Sequence, residues 1–179
     1  MDLVVFKLGQ RRFGFEVDEI REVLRLATIT RIPLTPPTFL GAMHVRGQVL
    51  PVIDLARLVG EASHRPLAGA SCLRVLRDTH HLLFQVGRVE EVVAFDDDEV
   101  AFDETLSRGD GGSDDPALRG LATRTILTAR GAIPLLSVEE ILARLSRELD
   151  ELLRRLTPQE IDASDSGDAS RSSTVERLF

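Results

Sequence analysis

Four histidines, one cysteine and 29 acidic residues are the groups of this 179-residue chain that could carry out chemistry. His44 and Asp54 are of the types that form a general acid–base pair, with imidazole moving a proton and a carboxylate orienting it. No nucleophile elbow, phosphate-binding loop or third orienting group accompanies them. A small hydrolase using His44 and Asp54 therefore stands only as an alternative of a different class. It requires a pocket that brings both side chains to a nucleophile. His64, His80 and His81 add no metal site. His80 and His81 are neighbours, which in a strand point to opposite faces. No Cys, His or Glu set has zinc-like spacing. The acidic run at residues 96–99 lacks the spaced donors, glycine and terminal Glu of a calcium loop, and reads as a solvated strand end. Cys72 sits in an apolar run and reads as a small buried hydrophobe. No catalytic, cofactor-binding or metal-ligating residue is assigned.

Arg46 is different in kind. Residues 41–55, GAMHVRGQVLPVIDL, read as two short strands joined by a tight turn at Arg46-Gly47. Gly47 can take the positive φ such a turn needs. Arg46 then stands at a strand end with its guanidinium in solvent. One reading is a solvated turn arginine. The other is a partner contact, because arginine packs and donates in a fork.

The elements that position this hairpin are mostly strands. Residues 3–8 form an apolar run suited to a strand buried on both faces. Residues 12–17 alternate strictly, with Phe13, Phe15 and Val17 on one face. Asp18 is placed to cap a short helix whose stripe is Ile20, Val23 and Leu24, with Glu19, Arg21, Glu22 and Arg25 outward. Residues 28–32 form a short strand, and residues 37–40 a helical turn after three prolines. Pro51 removes a ladder donor, so its strand is an edge or carries a bulge there. Hairpins follow at residues 71–86 and 121–136, with a strand at 89–95 between them. Residues 103–120 form a long loop. Many short strands with little helix indicate a barrel or sandwich.

Ser137 and Glu140 have the spacing of a capping box. Val138, Leu142, Leu145, Leu149, Leu152 and Leu156 then recur at four- and three-residue steps, a heptad-like stripe. Glu140 with Arg144, and Glu151 with Arg155, add i,i+4 support. The first half of this helix packs on its own domain. The second, from Leu149, is left for a partner helix or a second copy. Pro158 ends the helix, and residues 163–173, rich in Ser and Asp, read as disordered.

Composition bounds the function. Hydrophobic content of 43% with 28% charge is that of a soluble globular chain. A net charge of −7 leaves no basic excess to release counterions from nucleic acid. A single cysteine forms no intrachain disulfide. No apolar run reaches the ~20 residues of a membrane span. The opening MDLVVFK lacks the basic segment and long apolar core of a secretory leader. A cytoplasmic location is expected.

The hairpin and its flanks resemble the CheW-like family, the coupling proteins of bacterial chemotaxis arrays. The segments that carry the likeness are VVFKLGQRRFGFEVDEIREVL, TRIPLTPPTFLGAMHVRGQVLPVIDL, HLLFQVGRVEEVV and GAIPLLSVEEIL, in that order. Three positions depart from the family pattern. His44 stands for Asn, and Gly87 and Ser137 each stand for Asp. The resemblance implies a mainly β fold of two small SH3-like five-stranded barrels, over residues 1–145. Residues 146–157 extend the last helix and residues 158–179 form a disordered tail. It implies a non-enzymatic adaptor that couples a CheA-type histidine kinase regulatory domain to the cytoplasmic tip of chemoreceptors. That makes it peripheral to the membrane through receptors, or an accessory scaffold of a non-flagellar chemosensory pathway. The family positions matching Ile20, Glu22, Gly41 and Arg46 bear on kinase and receptor binding. From the residues alone, Ile20 reads equally as core and Glu22 equally as a solvated face.

Overall fold

The computed structural model describes residues 1–62, 69–77, 80–95 and 117–156. Among these residues ten strands form two five-stranded sheets. β1 (Asp2–Leu8) and β2 (Arg11–Glu16) begin the first. A 3-10 turn at Val17–Glu19 carries the chain into the second, which holds β3 (Ile20–Arg25), β4 (Phe39–Val45), β5 (Gln48–Asp54), β6 (Ser71–Arg77) and β7 (His80–Val86). The chain returns to the first sheet with β8 (Arg88–Ala94), β9 (Ala122–Thr128) and β10 (Gly131–Leu136). Strand orders are β8-β1-β2-β10-β9 and β3-β6-β7-β5-β4. Among the described residues two helices accompany the sheets, α1 (Leu55–Leu58) and α2 (Val138–Leu156).

Strand alternation explains why so many strands are apolar on both faces. Successive side chains point to opposite sides. Val4, Phe6, Leu8, Phe13 and Phe15 of the first sheet meet Ile53, Leu73, Val75, Leu82, Phe84 and Val86 of the second in one shared core. Phe15 stacks on Phe84 across it, centroids 5.6 Å apart. The alternate residues fill each sheet's own interior. Leu3, Val5, Ile126, Ile133 and Leu135 do so in the first sheet, and Met43, Val45, Leu50, Val52, Cys72 and Leu83 in the second. β1 is thus buried on both faces, as its apolar run predicts. The second sheet also draws its outer strands together. The chain beyond β3 bridges edge strand β4 at Thr30–Ala42.

Five local expectations are corrected. Residues 18–25 are not a capped helix. Ile20–Arg25 is strand β3, with residues 20, 22 and 24 inward and 21, 23 and 25 outward. Residues 28–32 contribute the single bridge at Thr30 and no strand. The expected helical turn at Pro37 is one hydrogen bond, Phe39 N–H to the Pro36 carbonyl, and Phe39 already starts β4. Arg144 does not pair with Glu140. It turns to Glu148 at 3.8 Å and to the Ala117 carbonyl. Pro51 lies neither on an edge nor at a bulge as expected: it pairs with Ala42 in inner strand β5, and its missing N–H is tolerated because β5 pairs with β7 only from Val52 onward.

Half of the expected capping box forms: the Glu140 N–H donates to Ser137 Oγ at 3.3 Å, but the Ser137 N–H goes to the Leu121 carbonyl at 2.9 Å and not to the Glu140 side chain. Serine is among the residues that cap a helix N-terminus well, as aspartate is. Gly87 has a steric reason. It sits where the chain crosses between sheets, and an added Cβ would lie 2.8 Å from the Lys7 carbonyl oxygen. Val138, Ile141 and Leu145 join the shared core. Farther along, Thr38 Oγ1 donates to Glu148 at 2.6 Å. The second half, with Glu151, Leu152 and Arg155, faces the Pro36–Thr38 turn across a groove of about 400 Å³. Arg155 pairs with Glu151 as expected. His64, the run 96–99, most of the 103–120 loop, Pro158 and the 163–173 segment lie outside the described residues.

Candidate partner-binding site

The β4–β5 hairpin turns in two residues, with Val45 paired to Gln48. Both turn residues have positive φ, 47° at Arg46 and 83° at Gly47. That is a type I′ turn, whose twist suits a two-residue hairpin and whose preferred sequence is Asn-Gly. Arginine in the first place is costly, because a Cβ in the left-handed region crowds the following carbonyl. A strained non-glycine residue that persists at a tip is an observation that points toward function.

Arg46 is not a loose solvated side chain. Its Nη2 lies 2.7 Å from Oε2 of Glu22, although the side chain is 75% exposed. The other Glu22 oxygen, Oε1, accepts from Nη1 of Arg74 at 2.7 Å. Arg74 is only 12% exposed, and its Nη2 donates to Gln48 Oε1 at 2.8 Å. β3 and β6 supply Glu22 and Arg74 as cross-strand partners. β5 supplies Gln48 beside the turn. The chain Gln48–Arg74–Glu22–Arg46 therefore ties the hairpin tip to edge strand β3. Val23 at 51% and Val49 at 69% exposure leave apolar surface on the same strands.

Of the four residues expected at the site, the fold brings Glu22 and Arg46 into contact. Ile20 lies two residues before Glu22, partly buried against the shared core. Gly41 is buried in β4 with φ of 140°, and a Cβ there would stand 2.3 Å from the Thr30 carbonyl oxygen. Its glycine is required by the close approach of the bridging segment. Arg74 and Gln48 escaped the sequence reading. The available signal was an arginine at the centre of SCLRVLR, flanked on both sides by apolar residues.

His44 and Asp54 do not meet. His44 is exposed and pairs with Val49. Asp54 lies five residues farther along β5, about 17 Å at ordinary strand rise. It is buried and accepts from the Arg57 N–H as the cap of α1. The hydrolase alternative loses its geometric requirement. Cys72 is fully buried, and burial pushes its thiol up to about 12. Among the described residues no group of three acidic, His or Cys side chains could hold a metal, and no helix is long and apolar enough to cross a membrane.

A second charged region lies where the sheets meet. Glu19, in the 3-10 turn, reaches the start of α2 and accepts from the Val138 N–H at 3.4 Å. Burial raises its carboxyl above the ordinary value, partly offset by that hydrogen bond.

Comparisons with known proteins agree with this geometry. Residues 2–146 match the family described as CheW-like domain. A probable chemotaxis protein CheW from Rhizobium etli is 34% identical over 67 residues, covering 37% of this chain and 43% of the relative. Protein FrzA from Myxococcus xanthus is 38% identical over 60 residues, covering 34% and 38%. The chain thus aligns with less than half the length of these relatives. Among solved structures, the scaffolding protein TtCheW from Thermoanaerobacter tengcongensis superposes with a TM-score of 0.65. It is 22% identical, with 76% of this chain and 84% of that one covered, a likeness of fold.

Proposed function

The chain belongs to the CheW-like family, and from that premise we propose that it is a non-enzymatic adaptor of a chemosensory pathway. In this reading it holds a CheA-type histidine kinase regulatory domain and the cytoplasmic tip of a chemoreceptor in one assembly. It works in the cytoplasm, peripheral to the membrane through the receptors. Residues 1–145 are the working unit. Contacts that differ between kinase-on and kinase-off states then pass ligand state to kinase activity.

The observation that carries the reading is the strained arginine at the hairpin tip, held against Glu22 by a 2.7 Å ion pair. Stability alone favours asparagine at that place. A guanidinium held in one orientation at an exposed hairpin tip is what a binding surface uses, since arginine packs and donates in a fork. Ile20 and Gly41 contribute by shaping β3 and β4 beneath it.

The test is direct binding. The purified chain is titrated with the cognate kinase regulatory domain and, separately, with a receptor-tip fragment. Binding to either at tens of micromolar or tighter, roughly the weak end of specific contacts, is expected. No binding to both at that concentration refutes the reading.

A further inference from the structure

Glu22 serves two guanidinium groups with one carboxylate. Oε1 faces Arg74 and Oε2 faces Arg46, each at 2.7 Å. Among the described residues neither arginine pairs with a second carboxylate. The cluster therefore carries one positive charge more than it neutralises, within a chain whose net charge is −7.

Arg74 is a poor stabiliser as it stands. It is largely buried, it shares its only carboxylate, and its Nε donor is buried without a hydrogen-bond partner among the described residues. A buried charge so incompletely satisfied usually costs more than an apolar side chain of similar size. What it does achieve is geometric. Its fork spans Glu22 and Gln48, joining edge strand β3 to the start of β5, two strands that β6 and β7 separate in the sheet order. That fixes the Glu22 carboxylate and so aims the second oxygen at Arg46. The residual charge is displayed on Arg46, the member of the cluster that is three-quarters exposed.

Resting on the adaptor reading, we propose that Arg74 is the positioning residue of this site and that the site receives a carboxylate of the partner. A second carboxylate at Arg46 completes a two-cation, two-anion cluster. Fork-to-carboxylate pairing gives such a contact both direction and strength. Glu22 keeps Arg46 ordered in the free protein, so little side-chain entropy is lost on binding.

The experiment has an arm without partner and an arm with it. In the free protein, NMR of the arginine Nε–Hε and Nη groups should show Arg46 restrained in wild type. It should be rotationally averaged in Arg74→Gln. Arg74→Lys, which keeps the charge but not the fork, serves if the glutamine variant does not fold. An unchanged Arg46 signal in a folded variant overturns the positioning role. With the kinase regulatory domain, Arg74→Gln should weaken binding about tenfold. Arg46→Ala combined with Arg74→Gln should be no weaker than Arg46→Ala alone, because Arg74 acts through Arg46. Losses that multiply would show a separate structural effect and overturn the proposal. Kinase domain whose surface carboxylates are capped with carbodiimide and ethanolamine should bind wild type and Arg46→Ala alike. A retained preference for wild type removes the carboxylate assignment. If wild type binds neither kinase nor receptor tip, the adaptor reading and the partner carboxylate fall together. The NMR arm still decides Arg74.

Discussion

Arg46→Asn should raise the stability of the fold while weakening its binding. Two terms set the first effect. The left-handed backbone at Arg46 costs about 1 kcal/mol for a residue with an ordinary Cβ. Asparagine tolerates this region, and Asn-Gly is the preferred pair for the turn. Against that stands the Arg46–Glu22 ion pair, 2.7 Å long with the guanidinium 75% exposed. A pair so open to solvent contributes about 0.5 kcal/mol, and Glu22 retains Arg74 when Arg46 is gone. The net gain is about 0.5 kcal/mol, which for a chain of this size shifts the melting temperature up by roughly 1–2 °C. Binding moves the other way. Loss of an oriented arginine at an interface costs roughly 2 kcal/mol, about thirtyfold in Kd. Calorimetric melting and titration with the kinase regulatory domain, on the same sample, read both. Arg46→Ala serves as the control, since alanine keeps the backbone strain and loses the ion pair. Its melting temperature should lie below that of Arg46→Asn by the strain term. A fall of more than about 2 °C in Arg46→Asn would mean the ion pair outweighs the strain, making Arg46 a structural residue. Unchanged affinity for both kinase and receptor tip would remove Arg46 from the site.

Gly41→Ala should destabilise the fold by about 3 kcal/mol or more, since its Cβ would press on the Thr30 carbonyl oxygen at 2.3 Å; a denaturant melt within 1 kcal/mol of wild type would contradict this. Glu19→Gln tests the sheet junction by pH. Burial raises the Glu19 carboxyl above its ordinary 4.5, so the folded chain holds that proton more tightly than the unfolded one. The stability this contributes is fully present below the unfolded value and is lost as pH rises through the raised folded value. The wild-type minus variant difference should therefore fall across the window just above 4.5 and be flat near pH 7, and a flat difference throughout would refute the assignment. Cys72, with its thiol pushed up to about 12, should react with Ellman's reagent only as fast as the protein opens, which a rate equal to that of a free thiol would disprove.

How much was legible in the sequence divides along the range of the interactions. The hairpins at residues 1–16, 39–54, 71–86 and 122–136 are local, and their apolar alternation and turn residues announce them. The capped start of α2 is local as well. β3 was misread as a helix for a reason tied to function. Its inward positions are Ile20, Glu22 and Leu24, and its outward ones include Val23. A charged residue inside and a valine outside invert the two-residue signal. Ile20, Val23 and Leu24 then mimic helical spacing. Glu22 can face inward only because Arg74, 52 residues away, meets it there.

The family, the mainly β architecture and the hairpin that carries Arg46 were determined by the sequence alone, because turn chemistry and strand alternation act over a few residues. The tertiary structure alone decided that Glu22 and Arg46 touch and that Arg74 and Gln48 complete their cluster. It also separated His44 from Asp54 along β5, and showed Gly41 to be a packing requirement. Each of these depends on strand register and on close approaches between segments far apart in the chain. Such contacts are set by burying a common core and leave no local periodicity to read.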